Sequence, residues 1–305
     1  MNFDLGPDEL ALRDGIRDVC AKRFPMERVR DGFDRSMWSE LGEAGVFSLR
    51  LPEDQGGVGL GMTEAAIVFQ ELGRFLVPGP LLGTHLAAGL VEGAASGDTV
   101  VTITDGSSLV PFGAVADMAL DIGDAVSVVD DLSGDDLEPL DPLTPVRAIR
   151  ADTPAARTLD AGATRMRREG GLLTAALSCG IASRTVELAV DYARERVQFD
   201  RPIGSFQAVK HICADMLVRA EVARAAVDAA AVRIDEGDDG PAVISAAKLL
   251  ASEAAIANAK SCIQVHGGMG FTWEVDAHLY LKRAAVLATQ FGGMDEQAEL
   301  LAAHV

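Results

Sequence analysis

Positive charge is scarce in this chain. Its 305 residues carry 27 Lys plus Arg against 46 Asp plus Glu, for a net charge of −19 and a pI near 4.6. That field repels polyphosphate at long range and argues against nucleic acid, so an anionic ligand needs a local basic patch. Cysteine is sparse as well: Cys20, Cys179, Cys213 and Cys262 form no C-x-x-C pair. With no basic-then-apolar leader before the first polar helix, this predicts a reduced, cytoplasmic setting. No uninterrupted apolar run reaches the ~18 residues of a membrane helix, so no membrane partner is expected. There is no GxGxxG after a strand, no P-loop, no HExxH and no GxSxG. The five histidines (His85, His211, His266, His278, His304) lack metal-ligand spacing, and no metal is expected.

Apolar residues are abundant. Hydrophobic residues make up 49% of the chain and its mean hydropathy is +0.18, enough to bury a core and exclude general disorder. The length allows two or three packed units, since a single core stops growing near roughly 250 to 300 residues.

The first unit, 1–90, reads as helical. From Asp8 to Arg23 the apolar residues Leu10, Leu12, Ile16, Val19 and Cys20 share one stripe. A second helix over Met37–Ala44 stops at Gly45, and a third over Thr63–Phe75 stops at Pro78 and Pro80. Between them lies a glycine-rich ordered loop, Leu51 to Gly61. In the middle unit, 91–160, the pattern changes to short runs such as Val100–Ile103 and Ala125–Val129, which predict strands. From Asp117 to Asp141 that unit holds nine acidic residues and no Lys or Arg, which reads as a solvated acidic face. The last unit, 161–305, holds Ala-rich stretches over Arg165–Val197, Phe206–Glu236 and Pro241–His266 with a shorter one over Asp276–Ala288. Their lengths predict an up-and-down bundle of four helices. The fold class is therefore mainly α with a small central β domain.

Two interhelical segments carry unusual chemistry. Arg194 to Gln207 gathers arginines, two amides (Gln198, Gln207) and two aromatics (Phe199, Phe206) at a helix end. Gln264-Val265-His266-Gly267-Gly268-Met269-Gly270-Phe271 exposes backbone N–H groups beside an amide side chain. Guanidinium forks and glycine-exposed N–H groups suit a pyrophosphate, and Gln and Phe suit a flat adenine or flavin.

In this order, and with the Leu51 to Gly61 loop upstream, these segments resemble the acyl-CoA dehydrogenase family over nearly the whole chain. The matching stretches are R-x-Q-F-x-x-P-I-x-x-F-Q (Arg196 to Gln207) with Lys210, and Q-V-H-G-G-x-G-F (Gln264 to Phe271). The resemblance implies an N-terminal helical domain, a middle β-barrel, here reduced, and a C-terminal four-helix bundle. It also implies FAD, a glutamate base and α,β-dehydrogenation of a CoA thioester, with electron-transfer flavoprotein as acceptor. Arg196, Gln198, Phe206 and Gln207 match family positions that contact the pyrophosphate and ADP half of FAD. Gln264, Val265, His266, Gly267 and Gly268 match a second such contact. In the family these groups reach across a subunit interface to the cofactor whose flavin ring sits in the neighbouring chain.

Two departures stand out. Where the family carries its base in a Tyr-Glu-Gly-Thr segment, this chain reads Phe291-Gly292-Gly293-Met294, and Gly292 cannot accept a proton. A positioned base contributes about 10²–10⁴ in rate, so no catalytic residue is assigned to this chain. Glu169 lies near an alternative base position but one residue off, on what reads as a solvated helix start; Asp295 and Glu296 lie close to Gly292 but need a shifted loop. The family's flavin-covering Thr-Glu-Pro-x-x-Gly-Ser-Asp segment and its Trp-Ile-Thr strand are missing between Gly83 and Arg165. The chain keeps the half-site it would offer a neighbour and has lost the half it would use itself. This is similar to the small, non-catalytic subunit of heterotetrameric acyl-CoA dehydrogenases, such as those actinobacteria use on steroid side-chain CoA thioesters. There a larger subunit carries the base and one FAD serves each large–small pair. A homomeric enzyme using Glu169 or Asp295, and a catalytically dead scaffold, are the alternatives.

Overall fold

The computed structural model describes residues 5–104, 107–150, 153–238 and 240–304. Five helices open the chain: α1 (Pro7–Arg23), α2 (Met26–Arg30), α3 (Arg35–Glu43), α4 (Met62–Arg74) and α5 (Leu81–Ala87). In α1, Asp8 and Glu9 fill the first turn and Lys22 and Arg23 the last, each sign complementing the helix dipole. Asp34 caps α3 by accepting from the Ser36 N–H at 2.8 Å. The short helices α2 and α5 were not expected from the sequence. Every residue of α5 is buried, so no polar face gives it a readable period.

The middle unit is two small sheets. β1 (Val101–Thr104), β3 (Met118–Ile122), β4 (Val126–Val129) and β7 (Arg157–Leu159) form one in the order β1-β3-β4-β7, with β1 and β3 parallel. β2 (Leu109–Pro111), β6 (Val146–Ile149) and β5 (Gly134–Leu137) form the other, antiparallel throughout. Leu120, Ile122, Val126 and Val128 turn inward and share a cluster with Leu86 and Met166, which seats the first sheet on the helices either side of it. Seven of the nine acidic residues between Asp117 and Asp141 are exposed, but Asp141 is not. Its carboxylate is fully buried and accepts from Arg283 Nε at 2.6 Å. Arg283 also donates to the Leu143 carbonyl at 3.1 Å and the Val77 carbonyl at 3.4 Å, so one guanidinium ties together all three units. The acidic run thus hides one structural charge whose partner lies 142 positions away.

The bundle is built from α6 (Ala163–Glu195), α7 (Gln207–Asp235), α8 (Pro241–His266) and α9 (Ala277–Leu287), followed by a short α10 (Met294–Ala302). Ala175, Ala176, Ala182 and Ala189 of α6 and Ala247, Ala251, Ala255 and Ala259 of α8 are all fully buried, so the two helices pack through small side chains. Asn258 is fully buried and clamps three helices: it accepts from Arg219 at 2.9 Å and donates to the carbonyls of Met216 and Ala182 at 2.8 and 3.2 Å. The first unit crosses α6 backbone to backbone. An added Cβ on Gly180 would lie 1.9 Å from the Gln70 carbonyl oxygen, and one on Gly73 2.1 Å from that of Leu177. At the end of α7, Asp235 caps α4 from outside, accepting from the N–H groups of Met62 and Thr63 at 2.7 and 2.9 Å. Two helical stretches, Ala163–Glu195 and Pro241–Phe271, are long and apolar enough to cross a membrane, but their most apolar windows are 72% and 56% buried inside the bundle. Helix packing accounts for that apolarity.

Candidate functional site

Two segments distant in sequence meet at one end of the bundle. Helix α6 ends at Glu195, and the Arg196 N–H donates to the Tyr192 carbonyl at 2.8 Å. The chain then makes a tight hairpin, β8 (Val197–Gln198) against β9 (Arg201–Pro202), closed where the Ile203 N–H donates back to the Arg196 carbonyl at 2.8 Å. Its two central residues, Phe199 and Asp200, have φ of +52° and +62°, the handedness a two-residue hairpin loop requires. Non-glycine residues there cost about 1–2 kcal/mol each, and the strained loop holds the Phe199 ring 85% exposed. The guanidinium of Arg201 lies 4.2 Å over the Phe206 ring, which Phe199 meets edge-on at 6.0 Å. Gln207 opens α7 and faces His211 across one turn, their side-chain nitrogens 3.4 Å apart.

The second segment is the last turn of α8. Gln264 is exposed and Val265 and His266 are buried. Gly267, at φ +63°, then breaks the helix in a conformation that favours glycine. The Tyr192 and His266 rings stack with centroids 4.2 Å apart and planes within 24°, joining the end of α6 to the end of α8.

Of the nine residues predicted to face a cofactor, Arg196, Gln198, Gln207, Gln264, Gly267 and Gly268 are exposed and Phe206 is half-buried. Val265 and His266 have buried side chains and offer only backbone groups. Among the described residues, Arg196 and Gln264 have no side-chain partner. A Cβ on Gly267 or Gly268 would meet nothing within 4 Å, so the space above this backbone is open. The Gly267 N–H donates to the Gln264 carbonyl, so the expected row of open N–H groups is not present there. An unpaired guanidinium, the Gln264 amide and exposed glycine backbone at one rim suit the diphosphate and ADP end of FAD. Arg201 and Tyr192 were not singled out from the sequence. Tyr192 stands four residues before Arg196, the spacing that puts two side chains on one helix face.

The chain's own cavity lies along the N-terminal half of α6. It measures about 1090 Å³ and is lined by Leu82, Ile122, Ile244, Phe291, Gly292 and Arg168 among others. At the position expected of the base, Gly292 has φ +93°, and an added Cβ would sit 2.5 Å from Gln297 Nε2 and 3.0 Å from Glu296 Oε2. Gln297 is buried and donates to the Phe291 carbonyl at 3.0 Å, which fixes the turn. The Phe291 ring packs on the bare backbone of Gly170, where a Cβ would lie 2.2 Å from the ring tip. The place of the glutamate is therefore a rebuilt turn, with an aromatic ring wedged against α6.

Of the alternative carboxylates, only Glu296 reaches the cavity, and Glu169 and Asp295 do not. Glu169 is buried, which corrects the expectation of a solvated helix start. Arg50 holds both its oxygens, at 2.9 and 3.2 Å, Arg165 adds a contact at 3.1 Å, and Glu169 does not line the cavity. The nearby His85 is buried against Phe69, and burial beside the Arg50 charge pushes its pKa down to about 4. Asp295 is exposed on α10 and faces away from the cavity lining, which takes Glu296 instead. Behind the turn, Lys248 is buried and donates to the Leu287 carbonyl at 3.3 Å, and burial lowers its pKa to about 8.

Comparison with known proteins agrees with this architecture. A sequence model described as the acyl-CoA dehydrogenase N-terminal domain matches residues 6–96, and one described as the acyl-CoA dehydrogenase C-terminal domain matches residues 164–305. The chain is 36% identical to the acyl-CoA dehydrogenase IpdE2 of Mycolicibacterium smegmatis, covering 96% of this chain and 97% of that one. It is 37% identical to the acyl-CoA dehydrogenase FadE34 of Mycobacterium tuberculosis over 85% of this chain but 40% of that longer protein. Among solved structures, one chain of the ChsE4–ChsE5 complex from Mycobacterium tuberculosis superposes with a TM-score of 0.88 at 25% identity, covering 100% of this chain and 98% of that one.

Proposed function

The chain belongs to the acyl-CoA dehydrogenase family, and from that premise we propose that it is the non-catalytic subunit of a heteromeric FAD-dependent enzyme. In this reading a larger acyl-CoA dehydrogenase subunit carries the base and the flavin ring, and this chain supplies contacts to the ADP half of the same FAD. One observation carries it: among the described residues Arg196 and Gln264 at the bundle end have no side-chain partner, while the base position in its own cavity is Gly292, which has no side chain.

FAD, when bound, supplies the two-electron acceptor for α,β-dehydrogenation of a CoA thioester. The role of this chain is to bind and orient. Arg196 offers a guanidinium to a phosphate oxygen, the bare backbone of Gly267 and Gly268 lets the diphosphate approach closely, and Gln207 and Gln264 offer amides to the adenosine portion. Phe206 and the Arg201 stacked on it give the rim an apolar floor. Removing protons from substrate is left to the partner, because Gly292 has no side chain and Glu169 is held by two arginines.

Two comparisons support the pairing: the solved complex whose chain superposes on this one contains two differently named chains, and FadE34 carries the equivalent of this chain within a protein more than twice as long. We carry over a steroid side-chain CoA thioester as substrate class, and two copies of each subunit as the assembly, from the paired dehydrogenases the sequence resembles.

The test is to co-express this chain with longer acyl-CoA dehydrogenase chains of the same genome and measure FAD per complex. The expected result is a mixed complex with one FAD per pair, from which Arg196→Ala releases flavin. Unchanged flavin retention in Arg196→Ala overturns the assignment, as does a yellow homo-oligomer of this chain that oxidises an acyl-CoA alone.

A further inference from the structure

Helices α6 and α8 each deliver one half of the cofactor-facing rim. Arg196 directly follows the last turn of α6, and Gly267 and Gly268 directly follow the last turn of α8. Between them the two helices pack largely through alanine, whose single methyl groups make shallow ridges and resist little sliding or rotation. A site that must present a guanidinium and a bare glycine backbone to one anion tolerates little relative movement of its halves, since about 1 Å of misplacement can cost orders of magnitude. Something at the helix ends has to set their spacing.

We propose that Tyr192 and His266 are the positioning pair that holds the two halves in register, an inference that rests on the reading of this rim as a cofactor contact. The rings stack at 4.2 Å across the α6–α8 interface, in the last turn of each helix. Each is tied to its own half of the rim. The Tyr192 carbonyl accepts the Arg196 N–H at 2.8 Å, so the residue that fixes one ring also fixes where the chain leaves α6. His266 immediately precedes Gly267, and its Nδ1 also lies 2.8 Å from the Cys262 carbonyl. The His266 side chain is only 8% exposed and turned toward Tyr192, so it reaches a ligand through its neighbours and not by touch. This assigns His266 a different role from the direct contact the sequence implied. The stack needs a flat ring on each side, and no charge or hydroxyl enters the argument.

The experiment uses the co-expressed complex, stripped of flavin and titrated with FAD. His266→Ala and Tyr192→Ala each raise the FAD Kd about tenfold or more, while His266→Phe and Tyr192→Phe, which keep a flat ring, stay near wild type. The double Ala variant is little worse than either single one, because each removes the same stack. His266→Leu keeps bulk without a flat ring and stands in if the Ala variants fail to assemble; it too weakens FAD. A purely structural role lowers Tm in the Ala and Leu variants and leaves Kd alone, and that result overturns the proposal. Arg196→Ala, run alongside, separates the two readings. If it weakens FAD while His266→Ala does not, the positioning role alone falls; if it leaves FAD binding unchanged, the cofactor rim itself falls.

Discussion

The two ends of α6 differ in how they treat polar groups. At its C-terminal end, Arg196 and the neighbouring Gln264 have no side-chain partners, and the Gly267–Gly268 backbone lies open. Along its buried N-terminal half, Glu169 is held by Arg50 and Arg165, Phe291 fills the bare surface of Gly170, and Gln297 locks the turn that carries Gly292. A folded chain leaves few polar groups unsatisfied without reason. That rule governs the buried groups, which are saturated; the exposed groups at the rim are met by water and stay available to a ligand. One helix thus runs from a saturated, buried region at its start to an exposed, unpaired one at its end.

The sharpest way to break the buried region is at the ion pair that walls it. Arg283 lines the cavity and is the partner of the fully buried Asp141. Arg283→Leu leaves that carboxylate uncompensated, with an expected loss of about 3–5 kcal/mol in urea unfolding. Asp141→Leu combined with Arg283→Leu recovers much of it, since no charge then stays buried. A double variant no more stable than the single one would show that the pair does more than cancel its own burial.

The next effect is in pH. His85 titrates near 4 in the folded chain against about 6.5 when unfolded. Between those values the unfolded state binds more protons, so stability falls as pH drops through the window and is fully present above about 6.5. The span corresponds to about 3 kcal/mol. His85→Phe should flatten the acid limb of the stability curve between pH 6.5 and 4, and an unaltered limb would assign acid sensitivity to other groups.

How much of this contrast could be read from the residues alone depends on distance in sequence. The long helices announced themselves by period and by proline and glycine stops. The two segments proposed to face a cofactor stand out as local motifs whose chemistry does not depend on what lies behind them. The buried region does not. Glu169 looked solvated because its partner Arg50 is 119 positions away, and Asp141 looked like one more surface acid because Arg283 is 142 positions away. Helix α5, buried on every side, shows no period. The stack of Tyr192 on His266 was hidden for the same reason: each residue was visible, but which helix faces meet is decided by packing and leaves no local signature.

Restoring the family's glutamate sharpens the comparison further. In Gly292→Glu the new side chain starts at φ +93°, 2.5 Å from the Gln297 amide and beside the Glu296 carboxylate. The strain and overpacking should cost about 1–3 kcal/mol. No acyl-CoA oxidation should appear in the isolated chain supplied with FAD, by dye reduction, because the turn is built around Phe291 and the flavin ring is proposed to sit in the partner. A gain of activity would mean that the buried region is one substitution from a working site.

The smallest expected change is the most decisive for the division of labour. Glu169→Gln in the co-expressed complex removes the buried acid that comes nearest to an alternative base. A base contributes about 10²–10⁴ to the rate, so if Glu169 served as one, turnover would collapse by that factor. The geometry says otherwise: a carboxylate whose two oxygens already accept from Arg50 at 2.9 and 3.2 Å, with Arg165 at 3.1 Å, is stabilised as the anion and has no oxygen turned to the cavity. Turnover of the complex should therefore stay within about twofold, well short of the loss of a base. Tm should still fall, because glutamine cannot neutralise the partly buried Arg50. Stability lost with activity kept places Glu169 in the scaffold and leaves the base with the partner subunit.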